Sequence, residues 1–426
     1  MNLRSPAMMA RLAWAWLAIG LGLASGLSAA ETAGTEAAKR WERFEPEFKA
    51  FAAADHAAPP AKGKILFVGS SIFRKWTTVT EQMAPLPVLN RAFGGSRTPD
   101  LLARFDQLVT PYAPKVIVYY CGSNDLKAGE TVEDPAAIFG RFREFSERVR
   151  AARPATRIIY VSSTRSPDRV ERWEQVDHYN ALARAYCAAT PGHTFVDVNP
   201  ALVDQAGRPR LELYVEDKLH FSEAGYDVVT SAIRWQKDIL AFAKKDAEKA
   251  PPENPIVFTG SSSIVKWKSL AEDFPGLPVM NRGFGGSEVF DSFNYAHLTV
   301  IKYKPRQVVM YAGGNDINAG KTPQRVFADF KAFVAKVHAA LPECRICYIS
   351  NAPNPKRWSL IDQMKEASRL VEEYTKTDKR LQFINVYPHM LGADGKPKPD
   401  IFVEDQLHMN PKGYVIWKAV VGPYLK

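Results

Sequence analysis

Cysteine is scarce: the chain has four thiols in 426 residues. Cys344 and Cys347 form a lone Cys-x-x-Cys with no second pair and no His partner, which argues against a metal site. Cys121 and Cys347 fall inside apolar runs and read as small core residues. Long apolar stretches are scarce too. Leu12 to Leu27 is the longest, short for a spanning helix, and nothing like it follows. No stable membrane span is therefore expected in the mature protein. Dense runs of one charge are also missing. Lys and Arg outnumber Asp and Glu by 56 to 46, for a net charge of +10. They are scattered among acids, however, and no nucleic-acid motif occurs, so a nucleic-acid partner is not expected. Such a surface can instead attract anionic polysaccharide or membrane.

The first residues have the three parts of a secretory signal. Arg4 and Arg11 supply positive charge, Leu12 to Leu27 the apolar segment, and Ser28-Ala29-Ala30 the small residues before Glu31. Residues 1–30 are read as a signal peptide, with an uncleaved anchor as the alternative. The absence of cysteine at the junction argues against a lipoprotein. The expected location is periplasmic or extracellular.

The remainder is one domain written twice. Gly69, Trp76, Gly95 and Asn124 recur as Gly260, Trp267, Gly286 and Asn315, each 191 positions on (260 − 69). Asp217 and His220 recur as Asp405 and His408 at 188 (405 − 217). In each copy, short β-branched or aromatic runs alternate with helical patterns. The runs lie at 64–69, 87–90, 115–121, 157–162 and 194–198, then near 255–260, 278–281, 307–312, 345–350 and 382–386. Helices are expected over Ala137–Ala152 and Val326–Ala340. This alternation predicts an α/β architecture with a buried parallel five-stranded sheet in each copy. Ahead of each first strand, an amphipathic helix carries Trp41, Phe44, Phe48 and Phe51 on one face, or Trp235, Ile239 and Phe242. The first copy is assigned residues 31–240 and the second 241–426, with the junction near 238–250.

Four polar blocks sit at predicted strand ends, where open parallel sheets place their sites. The first is Gly69-Ser70-Ser71, repeated as Gly260-Ser261-Ser262-Ser263: a tight turn from strand to helix that can present a hydroxyl beside free amides. Ser71 and Ser262 are the expected nucleophiles, with Ser70, Ser261 and Ser263 as neighbouring alternatives. The second is Asn90-Arg91-Ala92-Phe93-Gly94-Gly95, repeated from Asn281 to Gly286, where adjacent glycines allow positive φ and close approach to backbone N–H groups. The third holds Asn124 and Asn315, which can aim an amide at an oxyanion or merely cap the next helix. The fourth is Asp-x-x-His, at Asp217/His220 and Asp405/His408, a spacing that lets a carboxylate hold an imidazole. Of eight histidines, only these two have Asp three positions before, and both precede a Gly-Tyr pair. Arg91 and Arg282 are read as support for the turn, and Trp76 and Trp267 as packing. Arg169 and Arg357 mark a loop after strand four in which substrate contacts can differ.

Ser, Gly, Asn and Asp-x-x-His in this order, twice, resemble the SGNH hydrolase family, also called GDSL esterases/lipases. The motif is Gly-Ser-Ser here where the family has Gly-Asp-Ser. The resemblance implies two tandem flavodoxin-like SGNH domains and a secreted, cofactor-free serine esterase. It implies nucleophiles Ser71 and Ser262, oxyanion donors Gly95 with Asn124 and Gly286 with Asn315, bases His220 and His408, and orienting acids Asp217 and Asp405. The substrate it suggests is a small acyl ester, above all an O-acetyl group on carbohydrate or glycan. A lysophospholipase or thioesterase is the alternative activity, and a glycan-binding module with one or both copies inactive is the alternative class. If the leader is removed, mass spectrometry of the exported protein finds a new amino terminus near Glu31; intact Met1 counts against it.

Overall fold

The structure, a computed structural model, describes residues 41–126, 133–204 and 206–426. The leader expected over residues 1–30 lies outside them. The described residues fall into two compact units, 41–75 with 89–157 and 76–88 with 158–426.

Two five-stranded parallel sheets are present. The first has β1 (Ile65–Gly69), β2 (Val88–Asn90), β3 (Val116–Tyr120), β4 (Arg157–Val161) and β5 (His193–Val196), in the order β2-β1-β3-β4-β5. The second has β6 (Ile256–Gly260), β7 (Val279–Gly283), β8 (Gln307–Tyr311), β9 (Arg345–Ile349) and β10 (Leu381–Ile384), in the order β10-β9-β8-β6-β7. Read from the opposite edge, this is the same flavodoxin-like order. Both faces of the second sheet are covered, and its central strands β6 and β8 are buried at every position, which is why they are mainly apolar rather than alternating. Phe258, Val309, Tyr311, Cys347 and Ile384 pack with Trp267 and Trp417 on one side. Val257, Val308, Met310, Ile346 and Tyr348 pack with Phe330 and Phe333 on the other. All four cysteines are buried.

The longer helices are α1 (Glu45–Ala57), α2 (Pro135–Ala152), α3 (Trp173–Ala189), α4 (Glu223–Glu248), α5 (Pro323–Ala340), α6 (Ile361–Thr375) and α7 (Pro411–Val421). Proline at the first position and a capping side chain, Asp134 or Thr322, start α2 and α5. Helix α4 is continuous for 26 residues, and position 240 lies inside it. Its Ile239 and Phe242 are buried, as are Phe44 and Phe48 at α1. Trp41 departs from the expected apolar face: it precedes the turn that opens α1 and is 38 % exposed.

Arg282 and Arg91 show what joins these preceding helices to the sheets. Arg282 Nε donates to Tyr303 Oη at 2.8 Å, and its Nη2 pairs with Asp246 on α4. Tyr303 in turn donates to Asp246 at 2.6 Å. The first copy repeats the cluster as Arg91, Tyr112 and Asp55, with Arg91 Nε 2.9 Å from Tyr112 Oη and Tyr112 donating to Asp55 at 2.6 Å. Removing the acid leaves a nearly buried guanidinium without its counter-charge, which costs about 3 kcal/mol. Asp246→Ala is therefore expected to lower the thermal midpoint by several degrees while Asp246→Asn loses less. Equal midpoints for wild type and Asp246→Ala in a calorimetric scan would contradict this role.

Candidate active site

Strand β6 ends in a constraint on its last residue. A Cβ on Gly260 would stand 2.0 Å from the Tyr311 carbonyl oxygen, and φ is +115°. Only glycine fits there. The same carbonyl accepts the Ser261 amide at 2.9 Å, and the Gly260 carbonyl accepts the Phe284 amide at 2.9 Å. The chain is thus pinned between its two neighbouring strands where Ser262 leaves the sheet. The helix expected after this turn is one turn long, Ser262–Lys266. Its dipole is correspondingly small, and what it offers is the unbonded amides of a first turn.

Asp405 and His408 face each other across a tight hairpin. Val403 N donates to His408 O at 2.9 Å, and Gln406 takes a left-handed conformation at φ +57°. Asp405 Oδ1 accepts the Leu407 and His408 amides, each at 2.9 Å, which leaves Oδ2 for His408 Nδ1 at 2.5 Å. Burial alone would raise the Asp405 pKa. The hydrogen bonds from the His408 ring and from the two amides outweigh it, and the carboxyl ionises well below the usual range. His408 Nε2 lies 2.8 Å from Ser262 Oγ. Serine, imidazole and carboxylate form one hydrogen-bonded line, and of the three consecutive serines it is Ser262 that meets the histidine.

Asn315 does not cap the helix in which it sits. Gly313, with φ +108°, holds the cap position, and Asn315 Nδ2 donates to Ser287 O at 2.9 Å. This bond ties Asn315 to the loop carrying Gly286, whose φ of +87° suits a turned-out amide. Asn315 Oδ1 accepts Arg357 Nη2 at 2.9 Å. Between Ser262, Asn315, His408, Arg357, Phe402 and Met364 lies a small, partly open cavity of about 20 Å³. That is room for little more than one water-sized group. The arrangement can activate a hydroxyl, place donors near an oxyanion and hold a small substituent beside them.

A GDSL-like lipase/acylhydrolase family model matches the chain twice, over residues 67–228 and 255–416. The chain belongs to that family. It is an ester hydrolase by class, and both copies are members. Among curated proteins, no match is found. Among solved structures, a GDSL-like lipase from Bacteroides thetaiotaomicron is 22% identical, with a TM-score of 0.39, over 44% of this chain and 97% of its own. A lipase/acylhydrolase from Enterococcus faecalis is 19% identical, with a TM-score of 0.35, over 42% and 96%. An acetyl-xylooligosaccharide esterase mutant from Geobacillus Stearmophilus is 15% identical, with a TM-score of 0.35, over 41% and 95%.

Each half of the first GDSL-like copy repeats the local geometry of its counterpart in the second. In one unit, a Cβ on Gly69 would stand 2.0 Å from Tyr120 O, Ser71 opens the short helix Ser71–Arg74, and Asn124 Nδ2 donates to Ser96 O at 3.1 Å. Gly95 has φ +72°, and its carbonyl accepts Arg43 Nη2 at 2.7 Å. In the other unit, His220 Nδ1 meets Asp217 Oδ2 at 2.6 Å, and Asp217 Oδ1 accepts the Leu219 and His220 amides at 3.0 and 2.8 Å. The carboxyl of Asp217 is depressed like that of Asp405: burial opposes it, and the hydrogen bonds from His220 and Leu219 prevail.

Trp76 and Trp267, read as packing residues, do pack, and the partner of each is the tyrosine of the Gly-Tyr pair, which the chain showed only as a repeat. Tyr414 stacks on Trp267 at 5.4 Å between ring centroids and donates to Ser263 O at 2.8 Å. Tyr226 and Trp76 stack likewise at 5.0 Å. The glycine before each tyrosine is required, since a Cβ on Gly413 would lie 2.8 Å from Met409 and 2.9 Å from Ile401 O. In the second copy, the Gly413-Tyr414 pair therefore seats the histidine hairpin against the helix that follows the serine.

Asp405 stays ionised far into acid, so its protonation does not set an acid limit on activity. Asp405→Asn, measured with Ser71→Ala to silence the other copy, is expected to lower kcat about 10²- to 10⁴-fold at every pH. A shifted pH curve with an unchanged plateau would count against this.

Proposed function

We propose that both copies are exported serine esterases that remove short acyl groups, chiefly O-acetyl, from carbohydrate or glycan. The observation that carries the reading is the Ser262–His408–Asp405 line opening on a cavity of about 20 Å³. His408 Nε2 takes the Ser262 proton as Oγ attacks the acyl carbonyl carbon. The carbonyl oxygen becomes an oxyanion that accepts hydrogen bonds from the Ser262 and Gly286 amides and from Asn315 Nδ2. Asp405 stabilises the imidazolium and keeps its orientation. The imidazolium then protonates the leaving alcohol oxygen as the C–O bond breaks. Water, deprotonated by the same imidazole, attacks the acyl-enzyme, and the carboxylic acid leaves as Ser262 regains its proton. Ser71, His220, Asp217, Gly95 and Asn124 are assigned the same roles in the first copy.

The small cavity favours acetyl over longer acyl groups, because each further methylene needs space it lacks. Ser261, Ser263, Asn354 and Arg357 are among the residues that line it, beside apolar ones such as Met364, Met390 and Phe402. The polar groups in this lining suit a hydroxylated alcohol, and the small volume does not suit a long acyl chain, which is why the lysophospholipase reading ranks second. A module that only binds glycan has no use for an imidazole held 2.8 Å from a serine hydroxyl.

Acetate release from acetylated xylan, pectin and peptidoglycan tests the reading, alongside p-nitrophenyl acetate and butyrate. Ser71→Ala and Ser262→Ala should each leave part of the activity and the double variant none. Acetate should exceed butyrate at least about tenfold in kcat/KM. Full activity in the double variant, or preference for butyrate, would sink the assignment. Turnover of the small ester alone would discard the glycan substrate.

A further inference from the structure

Two arginines near the second site have opposite surroundings. Arg282 is paired with Asp246 and belongs to the scaffold. Arg357 lines the cavity beside Ser262, Asn315 and His408, is largely buried, and has no carboxylate within ion-pair distance among the described residues. Its recorded partners are Asn354, whose Oδ1 accepts the Arg357 amide at 2.9 Å, and Asn315, whose Oδ1 accepts Nη2 at 2.9 Å. Burial pulls the pKa of this guanidinium down from the usual arginine value, with Tyr311 and Asp316 opposing it. A cation kept in such a place without a counter-ion is costly for structure alone.

We infer that Arg357 is a positioning residue of the second site, fixing which way the Asn315 amide faces so that Nδ2 is presented to the oxyanion. The inference rests on the esterase reading above. An amide can turn by 180° at little intrinsic cost, and a turned Asn315 would offer an oxygen where the mechanism needs a donor. Two contacts forbid the turn. It would set the NH₂ group against the guanidinium and the oxygen against the Ser287 carbonyl, replacing two hydrogen bonds by two repulsions. In the observed orientation, one Nδ2 hydrogen is used by Ser287 O at 2.9 Å and the other is left for substrate. The hydrogen bond from a charged donor also polarises the amide and strengthens Nδ2 as a donor. Backbone geometry serves the same end. Arg357 interrupts the short helical segment Pro355–Leu360 with φ −120° and ψ 25°, and the buried Asn354 side chain holds that break.

The copies differ at this point. The position 188 residues earlier is Arg169, which has Asp168 3.7 Å away. Lys356 stands in the second copy where Asp168 stands in the first. The second site thus carries an arginine without the acidic neighbour.

The test uses the full chain with Ser71→Ala, so that turnover reports the second copy. Arg357→Met should lower kcat for p-nitrophenyl acetate about 10- to 100-fold with KM within about threefold, and Arg357→Lys should recover part of it. Asn315→Ala should cost more, about 100- to 1,000-fold. Adding Arg357→Met to Asn315→Ala should then cost less than about twofold, because there is no amide left to orient. The rate at which diethyl p-nitrophenyl phosphate labels Ser262 should follow the same pattern, since its phosphoryl oxygen uses the same donors. Unchanged kcat and labelling in Arg357→Met, or losses that multiply in the double variant, overturn the inference while leaving the esterase reading intact. Failure of the Ser71→Ala protein to turn over any ester or to label Ser262 overturns the esterase reading and the inference with it.

Discussion

The backbone contact between the end of β6 and the end of β8 governs the second site. The Tyr311 carbonyl occupies the space where a side chain on residue 260 would be. It is also the acceptor for the Ser261 amide, so one oxygen both demands glycine and directs the chain that follows. Any larger residue must push β8 away, and β8 leads directly into Gly313, Gly314 and Asn315. Serine and asparagine are therefore located by a single contact rather than by two independent loops. The duplicate contact at Gly69 and Tyr120 links Ser71 to Asn124 in the same way. What reads as a motif glycine is a demand for close packing between neighbouring strands.

The histidine reaches the serine by a different route. Its hairpin is not part of the sheet, and nothing in the strands fixes its distance from Ser262. That distance is set by aromatic packing, with Tyr414 stacked on Trp267 and bonded to the carbonyl of Ser263. Trp267 is itself anchored, donating from Nε1 to Asp273 at 2.7 Å. The hydrogen-bonded line thus joins groups held by sheet geometry to groups held by ring stacking.

These two kinds of support explain what could be read in the chain and what could not. The strands were legible because the central ones, β1, β3, β6 and β8, are buried on both faces and cannot hide their apolar runs. The site residues were legible because duplication preserved their order at offsets of 191 and 188 (260 − 69 and 408 − 220), which isolated residues would not have revealed. The Arg282–Asp246–Tyr303 cluster was not. Its members are far apart in the chain, none is unusual by itself, and only the arginine stood next to a recognisable block. The left-handed residue inside Asp-x-x-His was hidden as well, because Lys218 and Gln406 are not residues that announce positive φ. Arg357 was noticed by alignment of the copies, but its contact with Asn315 depends on how two loops meet, which spacing does not encode.

The acid that follows the asparagine shows how two copies of one site can diverge without losing it. Asp125 and Asp316 are both buried, and each accepts a backbone amide at the start of a short helix, Thr98 in one case and Val289 in the other. Burial pushes Asp125 up to about 6, with Thr98 and Arg141 holding it down. It raises Asp316 as well, reinforced there by Glu288 and opposed by Lys321. A carboxyl raised in the folded state stabilises most below its unfolded pKa, and that contribution fades as pH rises through the folded value. Some positive charge nearby is therefore needed at neutral pH. The first copy supplies it with Arg141, 3.5 Å from Asp125 and 2.6 Å from Glu133. The second places Lys321, 2.7 Å from Glu288, where the first has Glu133, and Asp329 where it has Arg141. The signs are exchanged, but each acid keeps a cation in its surroundings. Around a repeated local geometry, then, the charges are free to move only in compensating sets, and single exchanges between the copies at these positions would leave a buried charge uncompensated.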